Sequence, residues 1–77
     1  MISERLKKVI LTELELAEYD LQDDTIASLV PGWDSLSHVR ILAAVEEEYK
    51  IRFKSLEVLR LKNVGELQKL VDRKTSA

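Results

Sequence analysis

Pro31-Gly32-Trp33-Asp34-Ser35-Leu36 is the stretch on which the reading of this chain turns. Pro31-Gly32 punctuates the backbone. Asp34 is of a type that caps helix N-termini, and from Ser35 to about Tyr49 apolar residues recur at helical spacing. The Ser35 hydroxyl is therefore predicted in the first turn of a helix, among free backbone N–H groups and at the positive end of the dipole. A phosphate ester on that oxygen is favoured by those surroundings. A capping pair with no further role is the alternative reading of Asp34-Ser35.

At about 100° per residue, His38, Leu42, Val45 and Tyr49 share one face of this helix, flanked by Val39 and Ile41. That face is the predicted core stripe. Leu36, Arg40, Ala43 and Glu47 fall opposite, in water. One exposed leucine is ordinary. An exposed Leu36 beside a modifiable serine, with Ala43 further along the stripe, points to a docking surface.

Asp34-Ser35-Leu36, followed by Val39, Leu42 and Glu46-Glu47-Glu48-Tyr49, resembles the Asp-Ser-Leu signature and second helix of the acyl carrier proteins. The tripeptide alone is common; placed before a helix that ends in three glutamates and an aromatic, it is much more specific. The likeness extends over essentially the whole chain in length and order of elements. It implies that Ser35 carries a phosphopantetheine arm taken from coenzyme A, whose thiol holds an acyl group as a thioester. It also implies that Asp34 helps to position the arm, and that Leu36, Val39, Arg40, Ala43, Glu46 and Glu47 meet partner enzymes. Those partners are a phosphopantetheinyl transferase and the enzymes that load and transfer acyl groups. The chain departs from its relatives in being less acidic, at a formal net charge of −2. Relatives in general fatty-acid synthesis usually carry an acidic residue where Arg40 stands and a larger apolar one where Ala43 stands. These departures point to a specialised lipid or polyketide pathway, with an aminoacyl or peptidyl carrier and a cofactor-free helical interaction module as alternatives.

Composition bounds the rest. Seventy-seven residues suit one domain, taken as 1–77, with a small core. Met1 and the full set of elements favour a free protein over a piece of a synthase. The absence of cysteine removes disulfides and thiolate metal sites. The single histidine, His38, excludes a multi-histidine metal centre and argues against a Ser-His catalytic pair, so neither an enzyme nor a metal site is expected. No apolar run approaches the roughly 20 residues of a membrane span, and no secretory signal opens the chain, so a cytoplasmic monomer is expected. Residues 18–34 carry only acidic charges, whereas Arg52, Lys54, Arg60, Lys62, Lys69, Arg73 and Lys74 dominate the last third. These basic residues are spread singly along helical turns without aromatic partners, as on a solvated face rather than a nucleic-acid surface.

In order along the chain, Ile2, Leu6, Val9, Ile10, Leu14 and Ala17 predict a first helix over about residues 3–17, capped by Ser3, with Leu11 and Leu16 at its edges. Residues 18–34 form an unusually long connection, in which Leu21, Ile26, Leu29 and Val30 are expected to dip into the core. Asp23-Asp24-Thr25 suits a short turn; a calcium loop needs a spacing and a closing glutamate that are missing. After the second helix, Ile51 and Phe53 read as core plugs. Residues 55–60 give at most a short helix, with Leu56 and Leu59 apolar. Asn63-Val64-Gly65-Glu66 reads as a capping box that opens a last helix with Val64, Leu67, Leu70 and Val71 inward, and residues 75–77 are expected to fray. The predicted fold is all-α: a small bundle of three main helices plus a short one, with a long loop between the first two.

Overall fold

The computed structural model describes residues 2–76. Its elements are α1 (Glu4–Leu14), a single 3-10 turn (Ala27–Leu29), α2 (Ser35–Tyr49), α3 (Ser55–Leu59) and α4 (Val64–Thr75). All regular structure among the described residues is helical, and the core is built where α1, α2 and α4 meet. Leu6, Ile10, Ile41, Val45, Val64, Leu70 and Val71 are fully buried there. Leu21, Val30 and Trp33 seal it from the long loop, while Ile51, Phe53 and Val58 pack against it from the α2–α3 side. α1 and α2 pack directly on one another. The Arg5 guanidinium lies 4.4 Å from the centre of the Tyr49 ring and 2.7 Å from the Glu48 carboxylate.

α1 begins as expected, with the Ser3 hydroxyl accepting the Leu6 N–H at 3.2 Å, but it ends three residues early. Glu15 turns left-handed at φ 56°, and the Leu16 N–H returns to the Leu11 carbonyl at 3.0 Å. This six-to-one bond closes the helix in the manner of a Schellman motif. Leu16 then folds back on the core, and Ala17, expected in the stripe, is exposed. α2 ends in the same way, with Lys50 at φ 58° and the Ile51 N–H on the Glu46 carbonyl. Two helices thus stop at left-handed residues that are not glycine.

The 20-residue connection between α1 and α2 is ordered by ties to α4. The Val64 N–H donates to the Thr25 carbonyl at 2.9 Å, and the Gly65 N–H to the Asp23 carbonyl at 2.8 Å. The Asn63 side chain accepts the Glu66 N–H at 2.8 Å, so the first N–H groups of α4 are satisfied. Leu21 and Val30 are buried as expected, but Ile26 and Leu29 are exposed. The 3-10 turn bonds Leu29 N–H to Ile26 O and Val30 N–H to Ala27 O, which turns Ala27 and Val30 inward and the other two out. α3 is also selective: Val58 packs, while Leu56 and Leu59 face solvent. At the C-terminus Thr75 is still helical, its hydroxyl donating to the Val71 carbonyl; Ala77 lies outside the described residues.

Gly65 is where the loop is clamped. A Cβ there would stand 2.6 Å from the Asp23 carbonyl oxygen and 3.0 Å from its Cα, both of them backbone atoms unable to swing aside. Gly65→Ala is therefore expected to lower unfolding stability by about 1–3 kcal/mol, the range for overpacking, despite alanine's better helix propensity. Urea unfolding measures it; unchanged stability would show that the loop is not held at this point.

Candidate functional site

The site is the start of α2. Asp34 is extended, and its Oδ1 accepts the Ser37 N–H at 2.8 Å while its carbonyl accepts the His38 N–H at 2.9 Å. Ser35 follows as the first helical residue and is exposed. Its Oγ forms no hydrogen bond among the described residues, so a group attached there meets open space and the unpaired end of a helix. The Ser37 backbone N–H, helped by the Ser37 hydroxyl, holds the Asp34 carboxyl below the usual carboxylate range. Asp34 thus stays ionised at neutral pH beside the serine, directed into the helix's own donors.

Behind Ser35 the helix divides differently from the expectation. The buried stripe is centred on Ile41 and Val45, with Leu42 at its edge and His38 and Tyr49 only half-buried. Val39, expected at the flank of the core, is 64% exposed. The stripe is rotated toward Ile41 because α2 buries the side that meets α1, and α3 is too short to cover the side that bears Val39. The wet face stands as read: Leu36 is 61% exposed, and Arg40, Ala43 and Glu47 are in solvent. Glu46 is half-buried, its Oε2 accepting the Phe53 N–H at 2.8 Å, so it also anchors the chain leaving α2.

Of the clefts that adjoin α2 among the described residues, two bear on what lies near the serine. The larger, about 790 Å³, runs between α1 and α2 past Arg5, Glu13, Glu47, Glu48 and Lys50; it is mostly charged and contains neither Ser35 nor its neighbours. The other, about 430 Å³, opens between α2 and α3 and is lined by Val39, Leu42, Ala43, Phe53, Val58 and Leu59. Val39 is one helical turn beyond Ser35, so this mainly apolar cleft begins close to the serine. Its chemistry suits an apolar chain. Among the described residues no three His, Cys, Asp or Glu side chains gather as metal ligands. No helix there is long and apolar enough to cross a membrane.

A contact absent from the sequence reading joins the two sides of the serine. The Trp33 indole N–H donates to His38 Nδ1 at 3.1 Å. His38 was expected to pack into the core, and only the aromatic before an Asp N-cap hinted that it has a partner.

Comparison with known proteins agrees with this geometry. The family described as phosphopantetheine attachment site matches residues 4–71. The chain belongs to that family. Among solved structures it is similar to the holo acyl carrier protein from Geobacter metallireducens, with 38% identity, 90% of this chain and 79% of that chain covered, and a TM-score of 0.84. The protein is thus an acyl-carrier-like phosphopantetheine carrier, and the open serine at the head of α2 and the apolar cleft behind it fit such an arm.

Asp34 also gives the carrier an acid dependence. A carboxyl whose folded pKa is lowered adds stability above its unfolded value, about 3.9 for aspartate, and that stability is lost as pH falls through the lower folded value. Asparagine caps equally well without titrating. In urea unfolding between pH 7 and pH 3, the stability of wild type relative to Asp34→Asn is expected to fall on acidification; a difference independent of pH would exclude the ionised cap.

Proposed function

We propose that Ser35 is the attachment point of the phosphopantetheine arm, and that the protein is a single carrier domain with no chemistry of its own. What carries this reading is the exposed Ser35 hydroxyl at the first position of α2, inside the matched region, with Asp34 ionised and turned into the helix beside it. A phosphopantetheinyl transferase would form the Ser35 Oγ–phosphorus bond and break the pyrophosphate bridge of coenzyme A, releasing the nucleotide portion. The arm supplies a thiol for thioester formation. Tethering then keeps the acyl group at high effective concentration for whichever enzyme docks on α2.

Incubation with coenzyme A, magnesium and a broad-specificity transferase is expected to add the mass of one phosphopantetheine. Ser35→Ala is expected to add none while retaining its helical circular dichroism. Modification at Ser28, Ser37 or Ser55 instead would move the site.

We further propose that the carrier is a cytoplasmic monomer serving a specialised acyl pathway, in lipid or polyketide synthesis; the exposed face of α2 supports the specialised pathway. Leu36, Val39 and Ala43 offer apolar contact, and Glu47 an attractive charge for basic partner surfaces. Arg40, exposed among them, repels such a surface at one spot. Its matched partner is therefore one with an acidic or hydrogen-bonding group opposite Arg40. Rim charges act on association rate and specificity more than on fold. Arg40→Glu is expected to raise acyl-transfer kcat/KM severalfold with generic fatty-acid enzymes and to lower it with the cognate enzyme. Both effects should fade as salt shortens the screening length from about 10 Å at 0.1 M. Equal service of the generic enzymes by wild type and Arg40→Glu would remove the case for specialisation.

A further inference from the structure

Trp33 and His38 bracket Ser35, two residues before it and three after. The indole is buried and the imidazole half-buried, with ring centres 6.1 Å apart and planes tilted by 33°. Relative to the Asp34 cap, Trp33 occupies the residue before the cap and His38 the fourth helical position. These are the positions at which two apolar side chains form a hydrophobic staple, the contact that fixes the angle at which a chain enters its helix. Here the staple carries a directional bond, from the indole Nε1–H to Nδ1 at 3.1 Å. Accepting at Nδ1 requires a lone pair there, which puts the proton of the neutral ring on Nε2.

Within the segment that the staple holds, Trp33 is packed in the core and Asp34 is tied to α2, but Pro31 and Gly32 have little to fix them. Gly32 sits at φ +80° with nothing within 4 Å of where a Cβ would stand, and Pro31 and Gly32 are both exposed. The backbone is tied by Trp33 N–H to Val30 O and Asp34 N–H to Gly32 O, both turn bonds within the same few residues. Beneath the pair lies a small cavity of about 30 Å³ lined by Ala27, Trp33, His38, Leu61, Val64 and Leu67. Packing alone therefore leaves slack under the two rings, and the hydrogen bond adds a side-chain link between the loop end and α2 beside the two bonds that Asp34 accepts from the Ser37 and His38 N–H groups.

We propose that the Trp33–His38 bond is a positioning device for arm transfer: it sets the entry of residues 31–34 into α2 and so holds the Ser35 hydroxyl at one place and angle for the modifying enzyme. This rests on the reading of Ser35 as the attachment point. The two side chains act through the backbone on either side of the serine. Docking is left to the outer face of α2, so loss of the bond is expected in the rate of transfer and not in the affinity for the carrier.

The test uses the full chain, coenzyme A, magnesium and a broad-specificity phosphopantetheinyl transferase. Trp33→Phe deletes the donor and keeps most of the ring; His38→Leu deletes the acceptor; His38→Asn restores an amide oxygen near the place of Nδ1. Trp33→Phe and His38→Leu are expected to lower kcat for arm transfer about five- to tenfold, the worth of one net hydrogen bond, with KM for the carrier changed less than about twofold. His38→Asn is expected to recover most of the rate. With one tryptophan and one histidine in the chain, NMR reports the bond directly: slow indole N–H exchange and an Nε2–H imidazole in wild type, with the slow exchange lost in His38→Leu and regained in His38→Asn. Wild-type kcat in a folded His38→Leu protein overturns the proposal; should that variant unfold, wild-type kcat in Trp33→Phe does the same. Equal losses in all three variants, in step with thermal stability, overturn it in favour of packing. If wild type gains no arm, or Ser35→Ala does, the attachment assignment itself fails, while the NMR signals still report whether the bond exists.

Discussion

Two backbone hydrogen bonds, from Val64 and Gly65 at the head of α4 to the carbonyls of Thr25 and Asp23, hold the loop on which the site depends. A connection of this length inside so small a domain costs chain entropy, and buried apolar residues alone leave its backbone polar groups to be satisfied. Helix α4 needs acceptors for its first N–H groups, and the loop supplies them. The match requires backbone to approach backbone, hence a residue without a Cβ at position 65. With the loop clamped midway, Leu21, Val30 and Trp33 reach the core, and residues 31–34 arrive at α2. α4 also secures α1: buried Gln68 accepts the Ser3 N–H at 2.9 Å and donates to Asp72 at 2.9 Å. The long loop and the start of α1 are thus both tied to one helix.

The ion pairs among the described residues add less. Arg5–Glu48, Lys7–Glu18 and Lys74–Glu57 each involve side chains with solvent access, where screening and side-chain entropy leave roughly 0–1 kcal/mol per pair. Glu57 is better placed than its exposure suggests: the Lys54 backbone N–H, then Lys74, hold its carboxyl below the usual range. That arrangement caps the one-turn α3 from both the chain before it and the end of α4. Electrostatics here trims helix ends, while burial between α1, α2 and α4 holds the bundle together.

What the sequence made legible follows from how local each determinant is. The start of α2 was readable because Asp34 and Ser35 are neighbours in a capping pattern, and the inward face of α4 because Val64, Leu67, Leu70 and Val71 leave no second choice of stripe. The end of α1 was hidden because Glu15 takes the left-handed turn without a glycine to announce it. On α2, Val39 and Ile41 lie on opposite flanks of one apolar arc, and only the placement of α1 decides which of them is covered. Periodicity cannot separate a loop leucine that plugs a core from one that faces solvent, so Leu29 was misplaced and Val30 was not. In the site, Ser35 and Asp34 carried local signals. The Trp33–His38 bond joins a residue outside the helix to one inside it, a spacing that no helical or strand template contains.

The exposed apolar residues are the part of this molecule that folding does not explain. Leu36 and Val39 stand in water on α2, and Leu56 and Leu59 on α3, although the same helices bury Ile41, Val45 and Val58 efficiently. A one-turn helix that turns two of its three large apolar side chains outward is poorly designed for stability, since each leucine left in water forgoes roughly 1.5–3 kcal/mol available on burial. Val39 and Leu59 line the same cleft, so the exposure is organised around a surface and not scattered. Large apolar groups gathered beside a polar feature mark surfaces that other molecules cover. For a carrier that must pass between enzymes, a face held out of the core is reusable in a way that a buried face is not. The cost falls on a domain already near the lower size limit for a stable core, which is why the rigid ties from α4 to the loop matter as much as the site that they support.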